Sequence, residues 1–338
     1  MKNSIFEVIL IAILFATFCI AQKNPWTSAR PDGHAPISIM EDHYHKKGEF
    51  MFSYRFMPMW MSGILQGTND IDNQTVYQHY NVVPQKMQAF MNMLGVMYAP
   101  INNLTLMLMV NYVSKSMDLR TKTEVEFTTK SNGFGDMSFT GIIKILNENR
   151  QSLQLNVGTS IPTGSIVKSD DTPMMTNAPL AYPMQIGSGT WDPFFAVVYL
   201  GQTNSFSWGF QPSYQVRIGE NSKDYTLGNR FNIVGWGAVK ASDYFSFSTS
   251  VGYYGIGSIN GMNSELNPNM MPLFNTENSG KSQINIGIGS NFYVPSGSMK
   301  NFRAAVEIVL PMYQNVNGIQ MKNEIMGTLG FQYSFGGH

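Results

Sequence analysis

The stretch Leu104-Thr105-Leu106-Met107-Leu108-Met109-Val110-Asn111-Tyr112 alternates strictly between two kinds of side chain. An extended strand sends successive side chains to opposite faces, so leucine, valine and tyrosine share one face while threonine, methionine and asparagine share the other. Outward from this run the same pattern recurs at 49–62, 85–99, 136–147, 151–161, 191–201, 206–218, 231–240, 245–255, 283–294, 302–314 and 324–335. With 104–117 that makes about twelve strands, each reaching the ~9–11 residues a tilted strand needs to cross a bilayer. The expectation is an all-β fold, a transmembrane antiparallel β-barrel over residues 49–338 with its greasy face on lipid and its other face on the bore.

The connections supply an independent reading. Segments 100–103, 147–150, 202–204 and 241–243 are short, whereas 63–84, 118–134, 162–190, 219–229 and 258–282 are long. Short periplasmic turns alternating with long outer loops are the habit of outer-membrane barrels, and this places both termini on the periplasmic side. A soluble β-sandwich shares the alternation of faces but not this rhythm.

Composition agrees. Twenty-two basic and 22 acidic side chains leave no net charge for nucleic acid, and charged residues are 13% against the ~25% usual in soluble domains. Residues 1–21, with Lys2, an apolar run over 8–18 and Cys19-Ile20-Ala21, read as a cleavable export signal. A retained anchor helix would be short of the ~20 apolar residues it needs, and Phe18 is bulky where a lipoprotein signal using Cys19 wants a small residue. No other cysteine follows, which excludes disulfides and thiolate metal sites, and no later stretch is apolar for long enough to be a membrane helix. Residues 22–48 then form an N-terminal periplasmic segment or plug.

Parity sorts the bore. Arginine at the lipid midplane costs ~2–4 kcal/mol, so Arg55 faces inward and takes Met51, Met57, Met59 and Met61 with it. Met93 and Met97, then Met107 and Met109, oppose the leucines, valines and tyrosines of the next two strands and join the same lining. Arg303 and Glu307 share the inner face of 302–314, where an internal ion pair is expected. The strand from Trp191 is apolar on both parities, and its faces stay unassigned.

His34, Met40, Asp42, His43 and His45 crowd residues 22–48. Thioethers suit Cu(I) or Ag(I) and imidazoles suit Cu(II) or Zn(II), so His34, Met40, His43 and His45 are candidate ligands for copper or silver ions. Methionine has a second reading as a flexible lining for small apolar molecules. His79, in an outer loop, has no serine motif around it and reads as a solvated side chain rather than part of a hydrolase. The run 69–73 lacks a calcium loop's Glu at position twelve from Asp70, which is Asn81.

Arg30-Pro31-Asp32-Gly33-His34-Ala35-Pro36, Met40-Glu41-Asp42-His43-Tyr44-His45-Lys46-Lys47-Gly48-Glu49, Ser53-Tyr54-Arg55-Phe56-Met57 and Gly133-Phe134-Gly135-Asp136 resemble bacterial outer-membrane transporter-like barrels grouped with phenol-degradation pathways. The likeness spans the chain after the signal. It implies a barrel with a transport role in the outer membrane of a Gram-negative bacterium, and it brings no substrate-binding residues with it. The terminal Phe331, Tyr333 and Phe335 resemble the aromatic strand such proteins present to the barrel assembly machinery. The expected function is a non-enzymatic transporter or channel for small hydrophobic or aromatic molecules or soft metal ions. The alternative is a copper- or silver-binding barrel that sequesters metal without transport.

Overall fold

The computed structural model describes residues 25–336, so the expected export signal over 1–21 and Cys19 lie outside the described residues. Ten strands pair in chain order: β1 (Glu49–Gly67), β2 (Val82–Ile101), β3 (Leu104–Thr121), β4 (Met137–Glu148), β5 (Gln151–Ile161), β6 (Asp192–Gln202), β7 (Phe206–Gln215), β8 (Arg230–Lys240), β9 (Phe245–Ile256) and β10 (Lys281–Tyr293). An eleventh continuous run, Phe302–Gly336, closes the ring. It lies antiparallel to β10 through 303–316 and antiparallel to β1 through 316–336.

A closed ring in which every neighbour is antiparallel needs an even number of staves, so this last run must reverse direction. It does so around Asn317-Gly318, where Gly318 takes φ +59°, and Gln314 and Asn323 exchange two hydrogen bonds of 2.9 Å across the fold. Its halves are β11 (302–316) and β12 (319–336), which makes twelve staves. Closure is the physical requirement, because an unpaired strand edge in hydrocarbon would leave peptide groups without partners at several kcal/mol each.

One expected loop is a strand. Residues 118–134 form the tip of a hairpin: β3 runs on to Thr121, and Glu126–Phe134 pairs back along it from Arg120↔Glu126 to Tyr112↔Phe134. Thr128 and Thr129 favour extended backbone, and pairing continues beyond the apolar belt because strand hydrogen bonds do not require lipid. In the first long loop Asp72 caps the short helix Asn73–Val76, accepting from the Thr75 amide at 2.8 Å, while Asp70 meets the Lys322 ammonium at 2.9 Å. The acidic run is a cap and an ion pair.

The outer face carries Leu94, Val96, Leu108, Val197, Val251, Ile286, Ile288, Val306 and Ile308, all exposed. Aromatic side chains flank this aliphatic belt. Phe50, Tyr98 and Phe335 stack at the end with the short turns, and Tyr214, Phe231 and Tyr253 form a row towards the end with the long loops. Such girdles suit the two bilayer interfaces. Leu94, 61% exposed, should lie within the hydrocarbon. Leu94→Arg is expected to destabilise the folded barrel by ~2–4 kcal/mol in denaturant titrations from liposomes.

Candidate functional site: the bore and the segment within it

Residues 25–48 thread the turn end of the barrel, and the staves hold them chiefly by their backbone. Ser246 Oγ donates to Pro31 O at 2.9 Å, Ser207 Oγ to Asp32 O at 2.5 Å, and Arg55 Nε to Ile37 O at 3.1 Å. Gln211 Nε2 donates to Met40 O at 2.9 Å, while Gln154 Nε2 and Asn156 Nδ2 both reach Glu41 O, at 2.7 and 2.8 Å. Gln202 exchanges bonds with both backbone groups of Thr27, and Thr105 Oγ1 accepts from the His45 amide at 2.9 Å. These side chains would otherwise be polar groups buried without partners, each a cost of ~1–3 kcal/mol.

Arg303 and Glu307 do not pair with each other, contrary to expectation. Residues four apart on a strand lie roughly 13 Å apart, beyond reach of an ion pair. Each is spent on the segment instead. Arg303 donates to Ser28 O, Arg30 O and Pro31 O, and Glu307 accepts from the Ser38 amide at 2.9 Å and from Ser250 Oγ at 3.0 Å.

Apolar contacts complete the seat. Trp26, Ala35 and Ile39 pack on Val198, Leu200, Val234 and Trp236. The strand from Trp191 is therefore apolar on both faces for two reasons: Phe195 and Val197 are exposed outward, and Val198 and Leu200 press on the segment. Gly330 leaves room for Ile37, since a Cβ there would sit 2.9 Å from Ile37 Cγ1. Met40 and Tyr44 cover a thioether cluster of Met51, Met93, Met97, Met107 and Met109, with Met57 and Met91 beside it.

The sequence-derived ligands divide into groups. His34 Nδ1 and His43 Nδ1 stand 3.2 and 2.8 Å from the two oxygens of Asp42, His45 Nδ1 is 3.3 Å from Glu49, and Met40 lies in the thioether cluster. Burial, then the charges of Arg303 and His43, hold His34 well below the usual imidazole range. Burial alone would raise Asp42, yet the imidazoles of His43 and His34 hold it well below the usual carboxylate range. Burial pushes Glu41 up to about 7, opposed by the hydrogen bond from Thr140 and the charge of Arg55. His79 is exposed in the outer loop, far along the chain from this group.

At the loop end, Leu180, Ala181 and Met184 from one loop and Met271 and Leu273 from another pack over Met87, Met117, Leu119 and Met321. Between this cap and the N-terminal segment the inward positions turn basic. Arg217 pairs with Asp192, Lys115 Nζ donates to Pro183 O and Gln185 O, and the side chains of Arg230 and Lys281 face the same bore. The sequence placed Asp42 in the crowded segment but not among the ligands, and it gave no sign that these basic side chains meet, because no local pattern tells which inward charges come together across a ring.

A closed strand ring with its bore filled by its own N-terminal segment defines an outer-membrane-type barrel. The chain belongs to the family described as "Putative MetA-pathway of phenol degradation", which its residues 72–308 match. Its fold is similar to the crystal structure of an outer membrane channel from Pseudomonas putida F1, with TM-score 0.61 and 12% identity over 88% of this chain and 99% of that one. A Pseudomonas aeruginosa FadL homologue aligns with TM-score 0.41 and 10% identity over 94% of this chain and 100% of that one. The KdgM porin aligns with TM-score 0.41 and 10% identity over 84% and 99%. No curated protein matches this chain.

Removing the Arg303 guanidinium should loosen the segment and leave the wall standing. Arg303→Met is expected to speed amide exchange across residues 26–45 about 10- to 100-fold, from hydrogen bonds to a charged group worth ~1.5–3 kcal/mol, with exchange in the staves unchanged.

Proposed function

We propose that this protein is an outer-membrane channel for small hydrophobic or aromatic molecules, held closed by its N-terminal segment. One observation carries the reading. Methionines pair with methionines across β1, β2 and β3 at successive heights: Met51↔Met97↔Met107, Met57↔Met91, and Met61↔Met87↔Met117. The stripe starts in the cluster under Met40 and ends in the cluster under the outer loops.

Thioether side chains are flexible and polarizable, and they accommodate apolar ligands of varied shape. Other staves turn polar side chains inward, among them Gln154, Asn156, Ser248, Ser250, Gln283 and Asn285, all buried. A molecule with one greasy and one polar edge suits such a bore. The same sulfurs suit Cu(I) or Ag(I), which makes soft ions the second cargo class.

Among the described residues the side chain of His79 has no hydrogen bond to a serine, while Arg303 and Glu307 are committed to the segment and Arg217 to Asp192. We read the bore as a route for transport without catalysis. The family and the girdled strands support an outer-membrane location, and we infer that the short turns face the periplasm.

Intact cells with an unbroken lipopolysaccharide layer admit the apolar dye N-phenylnaphthylamine slowly. Expression of the chain lacking residues 22–47 should accelerate dye entry several-fold over the complete protein, and adding Met57→Gln with Met91→Gln should reverse much of that gain. Dye entry equal to that of cells without the protein would refute the apolar cargo. Silver uptake without dye uptake would assign the stripe to soft ions.

A further inference from the structure

The segment in the bore carries a cluster that the conduit does not use. His34, Asp42 and His43 each offer a ligand atom, and these atoms all lie within 4.8 Å of one another. We propose that they form a binding site for one divalent cation of the borderline class, Zn(II) or Cu(II), which latches the segment in its bent, seated form. Such a site is independent of which cargo the bore carries.

Three observations support it. First, two of the imidazoles are backed in the manner of metal-binding histidines. Asp42 accepts from Nδ1 of His43 at 2.8 Å and Glu49 from Nδ1 of His45 at 3.3 Å, while Nδ1 of His34 stands 3.2 Å from the second oxygen of Asp42 without a hydrogen bond, so that this nitrogen is free to ligate. A carboxylate at Nδ1 fixes the tautomer, raises the basicity of the ring and leaves Nε2 bare. Second, the bare nitrogens are unused. Nδ1 of His34 and Nε2 of His43 and of His45 are buried without a hydrogen-bond partner, and His43 is only 2% exposed. Buried polar atoms rarely go unpaired, and an ion removes the deficit. Third, the cluster is reachable. His34, His43 and His45 line a cleft of about 370 Å³ at the turn end of the barrel, together with Glu49 and Gln332.

The rings already touch. His34 and His43 have centroids 4.1 Å apart, and His43 and His45 4.9 Å apart. Ligands at Zn–N distances of ~2.0–2.1 Å stand roughly 3.4 Å from each other, so modest rotation of the imidazoles closes the set. Arg303 lies near His34 and opposes a cation, but its guanidinium is committed to three segment carbonyls, and the carboxylates of Asp42 and Glu49 offset it.

The donor set also fixes the class of ion. Nitrogen and oxygen suit Zn(II) and Cu(II), whereas Cu(I) and Ag(I) want sulfur. Met40, the nearest methionine in sequence, is packed against the thioether cluster. Since His34 and His43 flank the turn that carries Pro36 to Met40, an ion bound there would tie the two arms of that turn together.

The test uses the complete protein, purified in detergent and stripped with chelator, then given zinc sulfate or Cu(II) sulfate and desalted. One metal per chain is expected by elemental analysis, with nitrogen hyperfine couplings from two imidazoles in the Cu(II) spectrum. His43→Gln should abolish stoichiometric binding, Asp42→Asn should weaken it about 10- to 100-fold, and His79→Ala should change nothing. Binding that is substoichiometric in the complete protein, or equal in His43→Gln, overturns the proposal. Should His43→Gln fail to fold, the Cu(II) spectrum of the unaltered protein decides: two nitrogen couplings sustain the site and none overturns it. Dye entry into intact cells is read separately, so failure here leaves the conduit untouched.

Discussion

A strand wall in hydrocarbon must pair every peptide group, and only a closed ring does so. The rest of the molecule answers to that constraint. Closing the ring turns one face of every stave to lipid and the other to a bore, and the bore's side chains then need partners of their own. Twelve staves enclose too much space for wall side chains alone to fill, so the chain supplies its own filling from residues 25–48. Arg55, Gln154, Asn156, Ser207, Ser246 and Arg303 donate to carbonyls of that segment, and Glu307 accepts from one of its amides. Wall and segment satisfy each other.

The seat of the segment differs in kind from the wall. The staves are locked by cross-strand backbone bonds on both sides. The segment has few such bonds within itself, among them Gly33 to Arg30 and Ile39 to Pro36, and relies on side chains that reach in. Segments held in this way open more easily than the sheet around them. A gate must move without dismantling its frame, and under the proposed channel reading this division of bonding suits the segment to that role.

Much of the wall was legible in the sequence because its signal is local. A period of two fixes faces, and an arginine or a run of methionines fixes which face is inward. The strands at 104–117, 151–161 and 245–255 are found with little shift in bounds. What the sequence concealed is non-local. Nothing near Arg303 says that it will bind Pro31 rather than Glu307, and nothing near His34 says that Asp42 will stand between it and His43. The doubly apolar strand at Trp191 was the one visible sign that something greasy lies inside, and its reason is Trp26. The hairpin at 118–134 was hidden because polar strand and polar loop share a composition.

The central claim is that residues 25–48 occupy the bore. It is tested most directly by a disulfide between that segment and the wall. Ile37 and Gly330 meet closely enough that a Cβ at Gly330 would touch Ile37. The account predicts that Ile37→Cys paired with Gly330→Cys, in a chain that also carries Cys19→Ser, cross-links almost completely in native outer membranes under mild oxidation, while Ile37→Cys paired with Leu94→Cys on the lipid face does not. Free thiols at both positions in a folded barrel, or equal cross-linking in the two pairs, would contradict it.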